Sequence, residues 1–199
     1  MEALSFLAID ERPPLRPGQV QLWLHELPRA RDHEHAHALL RHILSGYLDC
    51  LPEALPLRCE AGCAPRLEGH DEFSLSLSYA DNLLVLGCGK DISHGIDLVR
   101  IGAAPDWRDV AGVFLAPAMV RHLQALPAPM QESEFARLWS GLEARGKSLG
   151  QGLREYSPAR DSQLYAETIE CLTASDMPMG YCLSLAVARN SRPDTARRN

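Results

Sequence analysis

The sequence has no apolar run approaching the roughly 20 residues that a bilayer-spanning helix needs, so a membrane protein is not expected. It also lacks a basic excess: the formal net charge is −6, and no Lys/Arg-rich run occurs outside the last residues. Nothing in that balance attracts a polyanion, so nucleic acid is not an expected partner. The start, Met1 to Glu11, has no basic residues ahead of its short apolar run, so it is not read as a secretory signal. Paired cysteine spacing is missing too. Of cysteines 50, 59, 63, 88, 171 and 182, only Cys59 and Cys63 are close, without a second pair to complete a zinc site. Several of the others lie in apolar strand-like runs, where buried free thiols are common. The expectation is a cytoplasmic protein with reduced thiols.

What is present is ordinary globular material: 199 residues, 46% apolar and 23% charged, enough for one large domain or two small ones. Residues 1–18 contain Pro13-Pro14 and Pro17-Gly18 and read as irregular. Val20, Leu22 and Leu24 alternate as in a strand. Asp32 is a candidate cap for a helix to about Leu48, with Leu39, Leu40, Ile43, Leu44, Tyr47 and Leu48 at helical spacing. Phe73 to Tyr79 alternates strictly, four large apolar residues against three serines, and is the clearest strand. Asp81-Asn82 reads as a turn, followed by strands over Leu83–Cys88 and Ile96–Val99. Pro117 suits the first turn of a helix to about Leu126, which Pro127 and Pro129 should break. A second helix, with Ser133 as candidate cap, should run to Gly150 and Gly152. Closing strands are read at Leu164–Leu172 and Tyr181–Val187. The order predicts an α+β fold in two halves, residues 1–102 and 103–190, with a disordered tail over 191–199.

Three constellations could carry chemistry. His33-Glu34-His35-Ala36-His37 matches H-E-x-x-H, which on a helix could make a zinc hydrolase site from His33, Glu34 and His37. The competing reading is a solvated, histidine-rich helix start. Gly95-Ile96-Asp97 places one carboxylate in an apolar strand, where it needs hydrogen bonds, a cation or a metal. On the later helix, Phe135, Leu138, Trp139 and Leu142 form a core stripe, and Trp139, Glu143 and Lys147 recur every four residues down one side. Alone, Glu143 and Lys147 would be a surface ion pair worth a few tenths of a kcal/mol. Taken with Asp97, they could hold one Mg²⁺ and a phosphate, a combination suited to phosphoryl transfer.

The order of these motifs resembles the 4′-phosphopantetheinyl transferases, in their long single-chain form. The matching residues are Ser78-Tyr79-Ala80, Gly95-Ile96-Asp97 and Trp139-x-x-Leu142-Glu143-x-x-x-Lys147-x-x-Gly150-x-Gly152-Leu153. Upstream, Ala38-Leu39-Leu40-Arg41, Leu44-x-x-Tyr47-Leu48 and Pro65-Arg66-Leu67 fit the same pattern. The resemblance implies two pseudo-symmetric α/β subdomains with the site between them. It also implies a monomer that moves the phosphopantetheine arm of coenzyme A to a serine of an acyl or peptidyl carrier protein. Asp97 and Glu143 would be Mg²⁺ ligands, and Glu143 and Lys147 would be catalytic. Arg41, Arg66, Ser78, Tyr79 and Lys147 would bind coenzyme A, with Arg41 near its 3′-phosphate. For the carrier, Phe114, Leu115 and Met119 are candidate contacts, with core packing as their other reading.

Four positions depart from the family pattern: Val99 for a third acidic residue, Leu142 for a lysine, Tyr79 for a histidine, and Cys63-Ala64 for Gly-Lys. Three of these remove cationic or potentially cationic groups, and each lost charged hydrogen bond is worth about 1.5–3 kcal/mol. Arg66, Arg145 and Lys90 are the candidate replacements. The departures also set up a second reading: a catalytically weak or inactive relative that binds a carrier protein or nucleotide.

Overall fold

The computed structural model describes residues 4–60, 63–174, 177 and 180–189. Its elements are β1 (Val20–Glu26), α1 (His33–Leu48), the short strands β2 (Leu57–Arg58) and β3 (Arg66–Leu67), β4 (Phe73–Ala80), β5 (Leu83–Lys90) and β6 (Ser93–Arg100). There follow α2 (Trp107–Phe114), α3 (Pro117–Ala125), α4 (Ala128–Ser148), α5 (Pro158–Leu164), β7 (Ile169–Ala174) and β8 (Tyr181–Ala188). The chain is α+β, as the order of the sequence patterns predicts. The long strands form two antiparallel sheets of three, ordered β1-β5-β4 and β6-β8-β7. In both, the first strand takes an edge, the last takes the centre, and a long helix lies between the first strand and the closing hairpin. Among the described residues no helix is long and apolar enough to cross a membrane.

Alternation in the first sheet sets two buried faces. Leu75, Leu77 and Tyr79 of β4 pair across Leu84, Leu86 and Cys88 of β5, with Trp23 of β1 beyond. This face packs on Leu40, Ile43 and Leu44 of α1. Asp32 caps that helix as expected, its Oδ1 accepting from the His35 amide at 3.1 Å. The opposite face carries Leu22, Val85, Gly87, Gly89 and the three serines. It is not a solvent face: Leu22 and Val85 pack against Ile96, Leu98, Leu183 and Leu185 of the second sheet. The outer face of the second sheet lies under α4, with Ala144 against Ile169, Ala186 and Ala188. The layers therefore run α1, sheet, sheet, α4, and α2, α3 and α5 close the side of α4 through Trp107, Leu123, Phe135, Leu142 and Leu164.

Several sequence expectations are corrected. α4 starts at Ala128 with Pro127 as its cap residue, so Pro129 sits in its first turn, where the missing N–H costs nothing, and breaks no helix. Ser133 is inside α4, donating to the Met130 carbonyl at 3.0 Å. Leu164 ends α5, and the strand read over Leu164–Leu172 begins at Ile169. β6 pairs with β8, so a division after residue 102 would part β6 from its own sheet; the chain changes sheets at Asp91-Ile92. Phe114, Leu115 and Met119 take their core reading in the cluster beside α4. The tail over 191–199 lies outside the described residues.

Candidate active site

Gly95 has a steric reason to be glycine. A β-carbon there would come closer than 3.0 Å to the Ala144 carbonyl oxygen, the Ser148 amide and the Lys147 β-carbon. The strand and α4 therefore touch backbone to backbone, two residues from Asp97. Small side chains allow this: Ala136, Ser140, Ala144 and Ser148 recur every four residues on α4 and are all buried. Ser140 Oγ lies 2.8 Å from Ser184 Oγ, which also meets Thr173 Oγ1 at 2.8 Å, a polar seam beneath the helix. Ser93 Oγ donates to the Ser148 carbonyl at 2.6 Å and secures the helix end.

On the other side, β6 is an edge strand, and among the described residues its outward amides find no neighbouring strand. Serines of β4 take that role: Ser76 Oγ accepts from the Ile96 amide at 3.0 Å and Ser78 Oγ from the Leu98 amide at 2.9 Å. Ser78 Oγ also donates to Asp97 Oδ1 at 3.1 Å. Lys147 Nζ donates to the same carboxylate oxygen at 2.7 Å and to the Ile96 carbonyl at 2.9 Å. Asp97 is 5% exposed, and its Oδ2 is buried with no hydrogen-bond partner among the described residues. Burial pushes its carboxyl pKa up, against the opposing pull of Lys147 and Ser78. Glu143 is half-buried, and its pKa is raised to about 7, first by burial and then by the charge of Asp97; Lys147 and the Trp139 indole only partly offset this. Glu143 and Lys147 do not form the surface ion pair that their spacing allows; Lys147 pairs with Asp97 instead.

Two cavities flank this group, and Glu143 borders both. One, of about 410 Å³, is walled by Ala64, Arg66, Ser76, His94, Lys147 and Arg160 among others. The other, of about 300 Å³, is walled by Arg31, Tyr79, Asp81, Asp97, Arg100 and Trp139 among others. The structure thus gathers Asp97, Glu143, Lys147 and Ser78, with Arg66 and Tyr79 in the two cavity walls. Arg41 is not brought there. Its guanidinium donates to the carbonyls of Pro52, Leu55 and Leu57 at 2.8–3.3 Å, pinning the loop after α1, and it lines neither cavity. Arg145 donates to the Leu164 and Ile169 carbonyls and lies over the Tyr165 ring, and Lys90 sits above Phe73, so neither replaces a missing cation. Leu142 is 2% exposed and belongs to the apolar cluster beside α4. His33 packs on Tyr79, its ring 5.0 Å away, and His35 stacks on His25. No group of three His, Cys, Asp or Glu residues able to hold a metal occurs among the described residues, so His33 and His37 have no third ligand.

Sequence reasoning missed His94, Ser76 and Arg160. His94 directly precedes Gly95-Ile96-Asp97, and Ser76 stands two residues before Ser78 in the same alternation, so both were within reach of the pattern. Arg160 carries no local signal.

Residues 93–177 match the model of the 4′-phosphopantetheinyl transferase superfamily. The match covers less than half of the chain. The matched segment contains β6 and α4, hence Asp97, Glu143 and Lys147, whereas Arg66, Ser78 and Tyr79 come from the segment before it. The chain is similar to a Synechocystis protein, slr0495, provisionally named a 4′-phosphopantetheinyl transferase: 27% identity over 132 residues, 63% of this chain and 54% of that one. It is also similar to the 4′-phosphopantetheinyl transferase HetI of Nostoc sp., at 31% identity over 120 residues, 58% of this chain and 50% of HetI. The chain spans about half the length of the curated relatives it matches.

Proposed function

We propose that this protein transfers the 4′-phosphopantetheine group of coenzyme A to a serine of an acyl or peptidyl carrier protein, with Mg²⁺. The observation that carries the reading is the pair Asp97 and Glu143 at the cleft, with Asp97 Oδ2 buried and unpartnered among the described residues. Two carboxylates of this kind suit Mg²⁺, which takes one or two and completes its shell with water and substrate phosphate oxygens. Asp97 and Glu143 would hold the ion, and when bound it would neutralise charge on the coenzyme's pyrophosphate. Lys147, fixed by Asp97 and the Ile96 carbonyl, adds a positive charge for the departing 3′,5′-ADP. Glu143, a carboxylate at the border of both cavities, would take the proton from the serine hydroxyl, directly or through water. The serine oxygen then bonds to the phosphorus nearest the pantetheine arm, and the bond from that phosphorus to the bridging oxygen breaks. The names of the two relatives support the reaction class. In this reading, β1–α1–β4–β5 and β6–α4–β7–β8 are pseudo-symmetric subdomains, and a monomer contains the whole site.

The test is intact-mass measurement on a panel of apo carrier proteins incubated with the purified chain, coenzyme A and Mg²⁺. A gain of one phosphopantetheine is expected on at least one carrier, and Glu143→Gln should abolish it while keeping the wild-type melting temperature. The buried Leu142, standing where a lysine is expected, favours a second reading: a relative that binds a carrier without chemistry. Tight carrier binding with no mass gain on any carrier would support that reading over the first.

A further inference from the structure

The ion pair between Asp97 and Lys147 stands between the two cavities. Asp97 lines the smaller and Lys147 the larger, and neither lines both. Nζ and Oδ1 meet at 2.7 Å, and Glu143 borders the cavities on either side. The two partners differ in freedom. Asp97 is buried in β6 and held by the Ser78 hydroxyl. The Lys147 side chain is 34% exposed. Its β-carbon lies against Gly95, and beyond that anchor the flexible stem is free to turn into the larger cavity. If either partner moves, it is the lysine. Both of its acceptors in the resting position, Asp97 Oδ1 and the Ile96 carbonyl, belong to β6. The other carboxylate oxygen, Oδ2, is buried with no hydrogen-bond partner among the described residues.

We propose that Lys147 is the resident counter-ion of Asp97 in the ligand-free protein, and that a divalent cation gains Asp97 only as this ammonium leaves it. The inference rests on the Mg²⁺ reading above and adds an order of events to it. While Nζ lies on Oδ1, the buried carboxylate already has its neutralising charge. A cation arriving at Oδ2 of the same group meets the ammonium at close range, where little water separates them and like charges repel strongly. An anion in the larger cavity, coenzyme A in that reading, gives the ammonium another partner. Once Nζ turns toward it, Asp97 is left open to the metal, and the ion pair no longer parts the two cavities beside Glu143. Metal and anion are then coupled through Lys147, and by linkage each strengthens the other's binding. A lysine that served the substrate alone would have no such effect on the metal.

The test is calorimetry on the full chain with Mg²⁺ alone, at about pH 8 to keep the carboxylates ionised. Lys147→Met keeps the stem and removes the charge, and it should bind Mg²⁺ roughly tenfold tighter than wild type. Lys147→Arg keeps the charge and should bind it as weakly as wild type. Adding coenzyme A should raise the Mg²⁺ affinity of wild type more than that of Lys147→Met. A Lys147→Met variant that binds Mg²⁺ alone no more tightly than wild type, or that shows the same gain with coenzyme A, overturns the proposal. Removing the charge leaves Asp97 buried without its partner, so folding of the variant is checked by its melting temperature. If it does not fold, the ammonium of wild type is followed by NMR, its signal assigned by its absence from Lys147→Arg. That signal should shift when Mg²⁺ and coenzyme A are added together; if both bind and it stays, the proposal fails. If no chain binds Mg²⁺ even with coenzyme A present, the Mg²⁺ reading falls too, so the two failures are told apart.

Discussion

Gly95 is set by what crosses it. Any side chain there meets α4 backbone, which cannot swing away as a flexible side chain can. Gly95→Ala should therefore cost about 1–3 kcal/mol, the usual range for overpacking, read as a lower urea midpoint. It should also reduce any transfer activity more than the stability loss explains, because the helix it displaces carries Glu143 and Lys147. His94 gives a second prediction at this scale. Burial between the sheets lowers its pKa from 6.5 to about 4, with Nδ1 2.7 Å from Ser74 Oγ. The folded state then binds fewer protons than the unfolded one between those values. The stability this group contributes is complete above pH 6.5 and falls as pH drops toward 4, by roughly 3 kcal/mol in total. His94→Gln should flatten that limb in a series of urea titrations; an unchanged acid limb would contradict it. Among the site residues, Asp97, Glu143 and Lys147 were legible because a strand motif and a four-residue helical spacing carry them. The partner of Lys147 was not legible, since spacing along α4 says nothing of β6. Arg41 was expected at the coenzyme and instead closes the loop after its own helix, an arrangement that the motif pattern does not display.

Between elements, the decisive arrangement is β4 against the edge of β6. An alternating Ser-x-Ser-x-Ser strand reads as half-exposed, yet Ser76 and Ser78 are each 4% exposed and satisfy amides of another sheet. Ser76→Ala should cost about 1–3 kcal/mol by leaving the Ile96 amide buried and unpaired, measured by thermal or urea unfolding. Ser78→Ala should cost at least as much, because Asp97 loses its hydroxyl donor too. A loss below a few tenths of a kcal/mol at both sites would mean that water replaces the hydroxyls. Strand alternation and helical periodicity made α1, α3, α4 and the long strands legible, because each buries a continuous face. They did not find α2 or α5, short helices held in place by the cluster beside α4. Ser157-Pro158 did carry a cap-and-first-turn signal for α5. The sheet-facing stripe of α4 escaped because it is made of alanine and serine, which weigh little in a search for apolar spacing.

For the molecule as a whole, each sheet keeps the other dry. Leu22 and Val85 on one side and Ile96, Leu98, Leu183 and Leu185 on the other form a single cluster. Cutting the chain at Asp91 leaves each half with its own helix but exposes this face. Residues 1–91 and 92–199 expressed apart should each unfold without a cooperative transition and bind a hydrophobic dye, and mixing them should restore one sharp melt. Two independent melts from the separate halves would show that the sheets need no mutual burial.

The outward amides of β6 have one more consequence. In a sheet, a strand's amides are bonded to a neighbouring strand and exchange with solvent only when that ladder opens. The Ile96 and Leu98 amides are bonded to hydroxyls of the opposite sheet, so their exchange follows the parting of the two sheets instead. These two positions are a built-in gauge of how often the halves separate, and a ligand that clamps the cleft should slow them while leaving the amides paired between β4 and β5 unchanged.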